Sequence, residues 1–176
     1  MKNTLNSAVI AVAMSIVLFS CGESAKQEST VVPTAETPTV EVESQTPVVA
    51  ETSNVISLEG NDMMQFNQTE FKVAAGQLVT LTLKHTGKME KTAMGHNFVL
   101  LKQGTDLVAF SKKAMEAVDN EYIPKGEIAS ILAHTKLLGG GESDTITFTV
   151  TEKGTYDFIC SFPGHVSMMK GKLIVE

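Results

Sequence analysis

The chain has 176 residues, of which 43% are hydrophobic, and its 20 acidic residues against 14 lysines give a formal net charge of −6 at pH 7. This length allows one folded domain with extensions. Because the chain has no arginine and no basic patch with interleaved aromatic residues, its composition argues against nucleic-acid binding.

Residues 1–20 have the pattern of a signal peptide. Lys2 gives a short positive start, and the apolar run at 8–19 is too short to span a bilayer as a stable helix. The segment Leu18-Phe-Ser-Cys21 is similar to the lipobox at which bacterial lipoproteins are lipidated. We therefore expect an exported protein, held to a bacterial membrane and facing the periplasm, with a lipidated Cys21 as its first mature residue. The alternative is an ordinary secretory signal followed by a coincidental cysteine.

The lipidated Cys21 and the residues after it, 21–54, are predicted to form a disordered linker. Residues 22–54 hold three of the five prolines, six glutamates and one lysine, without apolar periodicity. Such a segment cannot bury enough apolar surface to fold. It would act as a tether for the folded domain, and most of the chain's negative charge lies in it.

Residues 55–176 are predicted to form one domain made mostly of strands. Residues 78–84 and 145–150 alternate apolar and polar side chains, as strands with one buried face do. Shorter strands are predicted at 55–58, 71–73, 97–101, 128–132, 155–160 and 171–175.

One helix is predicted between these strands, with Thr105 as its N-cap and its end at Asp119 or Asn120. Its apolar face would be formed by Leu107, Phe110, Ala114 and Val118. Seven or eight short strands with one inserted helix predict an all-β sandwich with Greek-key connections.

Two histidines, a cysteine and a methionine form a candidate metal site. Cys160, His165 and Met169 share the short turn between the last two predicted strands, and Pro163-Gly164 provides a tight bend within it. His96 comes from another loop, and Gly95 before it lets the backbone approach closely, so that its carbonyl could be a weak donor. A thiolate, two imidazoles and a thioether are the ligands of a blue-copper electron-transfer site, which predicts one copper ion. Spacing alone does not distinguish Met168 from Met169.

Other interpretations of these residues have less support from the sequence than a copper site. If Cys21 carries lipid, Cys160 has no disulfide partner, and a metal would protect its thiol in an oxidising compartment. A structural zinc site usually needs two to four cysteines, and a Cys–His hydrolase pair needs an orienting group and an oxyanion hole that nothing around Cys160 suggests. A single histidine beside a strand is more often structural, and methionines are more often core filler.

Four segments of the domain together resemble the azurins, a bacterial branch of the cupredoxin, or type 1 blue copper, family. They are Gly60-Asn-Asp-Met-Met-Gln-Phe-Asn67, Met94-Gly-His-Asn97, Ile131-Leu-Ala-His-Thr-Lys-Leu-Leu138 and Cys160-Ser-Phe-Pro-Gly-His-Val-Ser-Met-Met-Lys-Gly171. The resemblance covers nearly all of 55–176 and implies an eight-stranded, cupredoxin-like Greek-key sandwich. It also implies a mononuclear copper held by His96, Cys160 and His165, with Met169 and the Gly95 carbonyl as weak axial donors.

The resemblance assigns further roles around the copper. Asn97 would link the two ligand loops, with its backbone N–H reaching the Cys160 sulfur, and Phe162 would lie beside the ligands. His85, which we expect to be partly buried on a strand, would lie near the metal without binding it, and His134 would be a surface residue. An apolar electron-transfer patch around His165 would be formed by Met64, Met94, Met115, Phe162 and Pro163.

Two departures from the azurin pattern concern stability. The usual disulfide near the N-terminus cannot form here, and Phe98 stands where azurins often have a buried tryptophan. Neither change touches the ligands.

The expected function is single-electron transfer by a monomer between exported or membrane-associated redox proteins, with c-type cytochromes as the partner class, and not catalysis. The alternatives are a copper-binding or storage lipoprotein, which usually has several Met or His sites, and a cysteine hydrolase.

Overall fold

The structure, a computed structural model, describes residues 52–176, so the predicted signal peptide, Cys21 and residues 22–51 of the predicted linker lie outside the described residues. Within this range there are nine strands: β1 Val55–Asn61, β2 Gln65–Phe66, β3 Glu70–Val73, β4 Leu78–His85, β5 Val99–Leu101, β6 Ile131–His134, β7 Ser143–Thr149, β8 Gly154–Ile159 and β9 Lys170–Val175. The helices are the single turn α1 (Lys91–Met94) and the longer α2 (Leu107–Met115).

The strands form two sheets, in the orders β2-β1-β4-β7 and β3-β9-β8-β5-β6. The pairs β1–β4 and β3–β9 are parallel, and the other pairs are antiparallel. Neighbouring strands are often distant in sequence, as in Greek-key connections. The predicted all-β sandwich is confirmed.

Both sheets contribute side chains to one shared core. In β4 every second residue is buried, as the alternating pattern predicts. Several core side chains from the two sheets and from the β4–β5 connection are 0% exposed. They include Leu58, Leu81, Leu83, Phe98, Phe158 and Leu173. Burying such a side chain contributes roughly 1.5–3 kcal/mol, so packing stabilises the domain in the absence of a disulfide among residues 52–176.

Helix α2 packs on the other side of the second sheet. Its buried residues Phe110 and Ala114 lie in a cluster with Val99, Ile123 and Ile159. Because Ile159 directly precedes Cys160, this second cluster supports the strand that carries the cysteine.

The predicted helix differs from α2 at both ends. The N-cap is Asp106, whose side chain accepts hydrogen bonds from the backbone N–H groups of Val108 and Ala109 at 2.9 and 3.0 Å, and not Thr105. The Asp106 carboxylate, one residue after Thr105, accepts from the free N–H groups of the first helical turn, as N-cap side chains do. The helix ends at Met115, and Val118 is 60% exposed in a separate 3-10 turn, so the prediction that Val118 continues the apolar face is wrong.

The prediction of a strand at 128–132 is also wrong in position. Residues Lys125–Ser130 form a 3-10 helix, and β6 begins only at Ile131. Ile128 is 55% exposed, so this apolar residue does not belong to the buried face of a strand. The short elements β2 and α1 were not predicted, since two to four residues carry no periodicity.

Residues 52–54, which the sequence places in the linker, bond to the sandwich. Thr52 forms a parallel bridge with Lys72, and the Asn54 carbonyl accepts from Thr80 N–H at 2.8 Å. Among residues 52–176, no helix has the length and apolarity needed to cross a bilayer.

Candidate metal centre

Three predicted ligand residues meet at one end of the sandwich. His96, Cys160 and His165 are all buried, and their potential ligand atoms lie within 4.8 Å of one another. The Cys160 Sγ is 3.6 Å from His165 Nδ1. Residues that are 64 and 5 positions apart in sequence therefore share one centre.

The loop between β8 and β9 holds Cys160, His165 and Met169 through its own backbone. Cys160 N–H donates to the Met169 carbonyl at 2.9 Å, and Met169 N–H donates to the His165 carbonyl at 2.7 Å. Gly164 has a φ of 82°, a conformation that favours glycine, and it turns the chain directly before His165. These two hydrogen bonds and the turn at Gly164 hold the three side chains close together.

His96 is oriented so that one ring nitrogen is left free. Its backbone pairs with Leu138 in both directions, at 3.0 and 2.8 Å, and its Nε2 donates to the Asn61 carbonyl at 2.8 Å. Nδ1 is buried and has no hydrogen-bond partner among residues 52–176. Metal-binding histidines usually donate their other N–H to such a carbonyl, and an orphaned buried acceptor is rare otherwise. The residues present therefore fit a metal ion.

The two neighbouring methionines differ in burial, which their spacing in the sequence did not predict. Met169 is 0% exposed, whereas Met168 is 51% exposed. A Cβ placed on Gly60 would lie 2.9 Å from His96 Cδ2 and 3.3 Å from Met169 Cε, so Met169 and His96 flank the same glycine. Met169 thus lies next to the cluster and Met168 faces outward.

Gly95 brings a backbone carbonyl to the centre. Its oxygen is 3.8 Å from Cys160 Sγ. A Cβ at this position would lie 2.6 Å from the Lys91 carbonyl oxygen, too close for any other residue without a shift of α1. The close approach requires glycine.

Asn97 joins the two ligand loops. Its Oδ1 accepts from Ser161 N–H at 2.8 Å, and its Nδ2 donates to Ser161 Oγ at 2.8 Å and to the Glu121 carbonyl at 3.4 Å. The backbone N–H groups of Asn97 and Phe162 also act on the Cys160 sulfur, where they favour the thiolate. All of these groups except Glu121 and Phe162 are buried.

His85 is completely buried, more so than predicted, and it stacks on His96. Their ring centroids are 4.2 Å apart at an interplanar angle of 17°. His85 Nδ1 accepts from Gly87 N–H at 3.0 Å, and Nε2 donates to the Met94 carbonyl at 2.8 Å. With both nitrogens in use, His85 supports His96 and has no free lone pair for a metal. His134 is exposed, as predicted.

Burial sets the protonation of the centre. It raises the pKa of the Cys160 thiol to about 11, against the opposite effect of two backbone N–H groups. Burial, together with His96 and His85, lowers the pKa of His165 to about 4, and burial is also the main cause that lowers the pKa of His96. Both imidazoles are therefore neutral at pH 7 and available to a metal, while the thiol would release its proton on metal binding.

The metal-free protein should be most stable near neutral pH. Between pH 6.5, the ordinary pKa of histidine, and about 4, the unfolded chain binds a proton that folded His165 does not, so the free energy of unfolding falls as the pH drops. Between pH 9.0 and about 11, the unfolded chain has lost the thiol proton that folded Cys160 keeps, so stability falls as the pH rises. Urea titrations across this range measure both effects.

Cys160→Ala is the control for the alkaline limb and should remove the fall that begins near pH 9.0. A fall above pH 10.0 should remain, because burial also raises the pKa of the Tyr156 hydroxyl. A free energy of unfolding that stays constant above pH 9.0 in the wild-type metal-free protein would contradict the shifted thiol.

The residues of the predicted apolar patch differ in exposure. Met64, Met94, Phe162 and Pro163 are half-buried, and Met115 is 46% exposed. Met115 and Phe162 line one groove of about 340 Å³ between α2 and the β8–β9 loop. Phe162 also contacts His165, with ring centroids 4.6 Å apart.

Sequence reasoning missed Tyr122, which packs its ring edge on Phe162 at a centroid distance of 5.0 Å. The residue lies in an irregular segment, where no periodicity or motif spacing marks it.

Comparison with known proteins agrees with this geometry. The family profile described as copper binding proteins, plastocyanin/azurin family, matches residues 52–176. The chain belongs to this family. Its cofactor is copper, and the buried group of His96, Cys160 and His165 fits that ion.

Individual relatives and solved structures match over most of the described domain. The azurin of Bordetella pertussis is 45% identical over 132 residues, which are 72% of this chain and 86% of that protein. The outer membrane protein H.8 of Neisseria gonorrhoeae is 42% identical over 120 residues, 66% of this chain and 64% of that protein. The crystal structure of dithionite-reduced auracyanin from Roseiflexus castenholzii has a TM-score of 0.64 at 35% identity, and the match covers 72% of this chain and 99% of auracyanin.

Proposed function

We propose that the protein carries single electrons through a type 1 copper site, which His96, Cys160 and His165 would hold, with Met169 and the Gly95 carbonyl as weaker donors. The observation that carries the proposal is the orphaned Nδ1 of His96 beside a buried thiol and a second neutral imidazole. This donor set suits both copper oxidation states. Copper, when bound, supplies a one-electron couple between Cu(I) and Cu(II).

The protein fixes the orientation of these donor side chains through hydrogen bonds and packing. His96 is held by the Asn61 carbonyl on one side and by the His85 ring on the other. Asn97 and Ser161 fix the start of the β8–β9 loop. Donors that are already in place rearrange little when the charge of the ion changes, and fast electron transfer depends on that.

Electrons would pass through the edge of His165. This residue is 3% exposed and lies against Phe162, which lines a groove whose one charged lining residue is Lys112. Brief redox encounters use interfaces at the small end of the size range. We infer that a monomer docks there with exported redox proteins, of which c-type cytochromes are the expected class, and that it is a carrier and not an enzyme.

The proposal is tested with copper-loaded protein. An intense blue absorption band and rapid, reversible reduction by a c-type cytochrome in stopped-flow mixing are the expected results. Transfer of the copper itself to a chelator, faster than electron self-exchange, would instead indicate copper storage. A colourless copper complex would contradict the type 1 assignment.

Met169→Leu should keep copper bound but change the reduction potential, because the thioether would be a weak donor that tunes the couple. Cyclic voltammetry measures the change. Met168→Leu, at the exposed neighbouring position, is the matched control and should leave the potential unchanged. Loss of copper from the Met169 variant, or equal shifts in both variants, would mean that the axial role is wrong.

We also propose that the protein is exported and anchored by lipid on Cys21, facing the periplasm, with residues 22–54 as a tether. The lipobox-like segment 18–21 supports this, and one relative in the family is named as an outer membrane protein. Metabolic labelling with a radioactive fatty acid should mark the wild-type chain and not Cys21→Ser, which should leave the membrane fraction. An unlabelled wild-type chain would contradict the anchor.

A further inference from the structure

Two successive residues beside the metal centre have an unfavourable backbone conformation. Glu121 and Tyr122 have φ values of 52° and 62°, in the left-handed region that few residues other than glycine adopt. Such a conformation persists only where the surroundings enforce it, and it is often found at functional sites.

The surroundings of Glu121 hold this conformation from several sides. The Glu121 carbonyl accepts from Asn97 Nδ2 at 3.4 Å, and its carboxylate accepts from Leu137 N–H at 3.1 Å. The same carboxylate lies 3.9 Å from Lys91 Nζ. Asn97, Leu137 and Lys91 belong to segments that flank His96, so the strained segment is tied to the surroundings of that histidine.

The segment is fixed on its other side by the core. Tyr122 N–H donates to the Ala117 carbonyl at 2.9 Å, and Asn120 Nδ2 donates to the Ile123 carbonyl at 2.6 Å. Ile123 is 3% exposed and packs in the cluster that contains Ile159. The backbone therefore offers Tyr122 little freedom to move away from the centre.

This conformation places the Tyr122 ring at the end of an aromatic series. Tyr122 meets Phe162 edge to face, at 5.0 Å and 69°, and Phe162 contacts His165 at 4.6 Å and 42°. His165 is the residue through which electrons would pass. Within residues 52–176 its ring donates to no backbone carbonyl, unlike the rings of His96 and His85.

We propose that Tyr122 is a positioning residue for electron transfer: its ring holds Phe162 against His165, which substitutes for the carbonyl contact that fixes the other two histidines. The inference rests on the proposed function, because the orientation of His165 matters only if that residue binds the metal and passes electrons. The ring, and not the hydroxyl, carries the role, since the contact with Phe162 is made by the two rings.

The test compares Tyr122→Leu, which removes the ring, with Tyr122→Phe, which keeps it. Val118→Ala, an exposed apolar change in the preceding turn, is the matched control. Electron self-exchange of copper-loaded protein, from NMR line broadening, should slow about tenfold in the Leu variant, the low end of the effect of changes around metal ligands. The Phe and Val118 variants should exchange at the wild-type rate.

A second readout needs no copper. In NMR spectra of the metal-free protein, the Phe162 ring should flip faster and its contacts with His165 should weaken in Tyr122→Leu, and remain unchanged in Tyr122→Phe. Tyr122→Met tests the same loss of the ring if the Leu variant does not fold.

Wild-type self-exchange together with wild-type Phe162 flipping in the ring-less variants would overturn the proposal, as would equal slowing in Tyr122→Phe. Should the wild-type protein form no blue copper site, the proposed function fails, whereas the metal-free spectra still decide whether Tyr122 holds Phe162.

Discussion

Replacing Cys160 with serine should abolish the intense blue colour of the copper-loaded protein. The colour of a type 1 site depends on the bond between thiolate and copper, and a serine hydroxyl is neither ionised at neutral pH nor soft enough to favour Cu(I). Cys160 is the one cysteine among residues 52–176, and no other thiol there can replace it. We expect Cu(I) affinity to fall more than about 100-fold, beyond the usual cost of changing a residue around a metal ligand.

Absorption spectra and competition with a Cu(I) chelator measure the two effects. Cys21→Ser is the matched control, because it removes the only other cysteine of the chain and should keep the blue band. An intense blue band in the Cys160 variant would show that the metal is bound elsewhere, and the assignment of all three ligands would then be wrong.

Replacing Asn97 with leucine, which has a similar volume, should lower the free energy of unfolding of the metal-free protein by about 2–4 kcal/mol. The change removes the acceptor for Ser161 N–H and the donor to Ser161 Oγ, both bonds at 2.8 Å. Ser161 is 3% exposed, so water cannot replace the lost partner. Each buried polar group left without a hydrogen bond costs about 1–3 kcal/mol.

Chemical denaturation of the metal-free protein isolates this effect from copper binding. Asn67→Leu is the control: the Asn67 side chain also accepts from a backbone N–H, that of Glu59 at 2.9 Å, but at an exposed position. Water can replace its bond, so its loss should cost less than about 1 kcal/mol. Equal destabilisation by the two changes would contradict a special role of Asn97 in joining the ligand loops.

The candidate donor residues could be predicted from sequence because they are chemically distinctive and mostly close together. Cys160, His165 and Met169 share one ten-residue segment, and a local turn is enough to bring them together. His96 was found by its motif and by the resemblance to azurins, since no local rule connects it to a loop 64 residues away. The five-stranded sheet supplies that connection, because β5 after His96 pairs with β8 before Cys160.

The two strands with strict alternation, β4 and β7, were predicted to within two residues at each end, because period 2 is a property of the local sequence. The strand at 128–132 was misplaced, since its apolar residues have no such period and Ile128 proved exposed.

The sequence by itself therefore determined the fold class, the family and the candidate donor residues, which depend on residue type and on short motifs. Tertiary structure alone decided which nitrogen of His96 is free, that Met169 and not Met168 faces the centre, and that Tyr122 touches Phe162. These are properties of packing between distant segments. They follow from which atoms burial leaves without a partner, and no pattern along the chain records that.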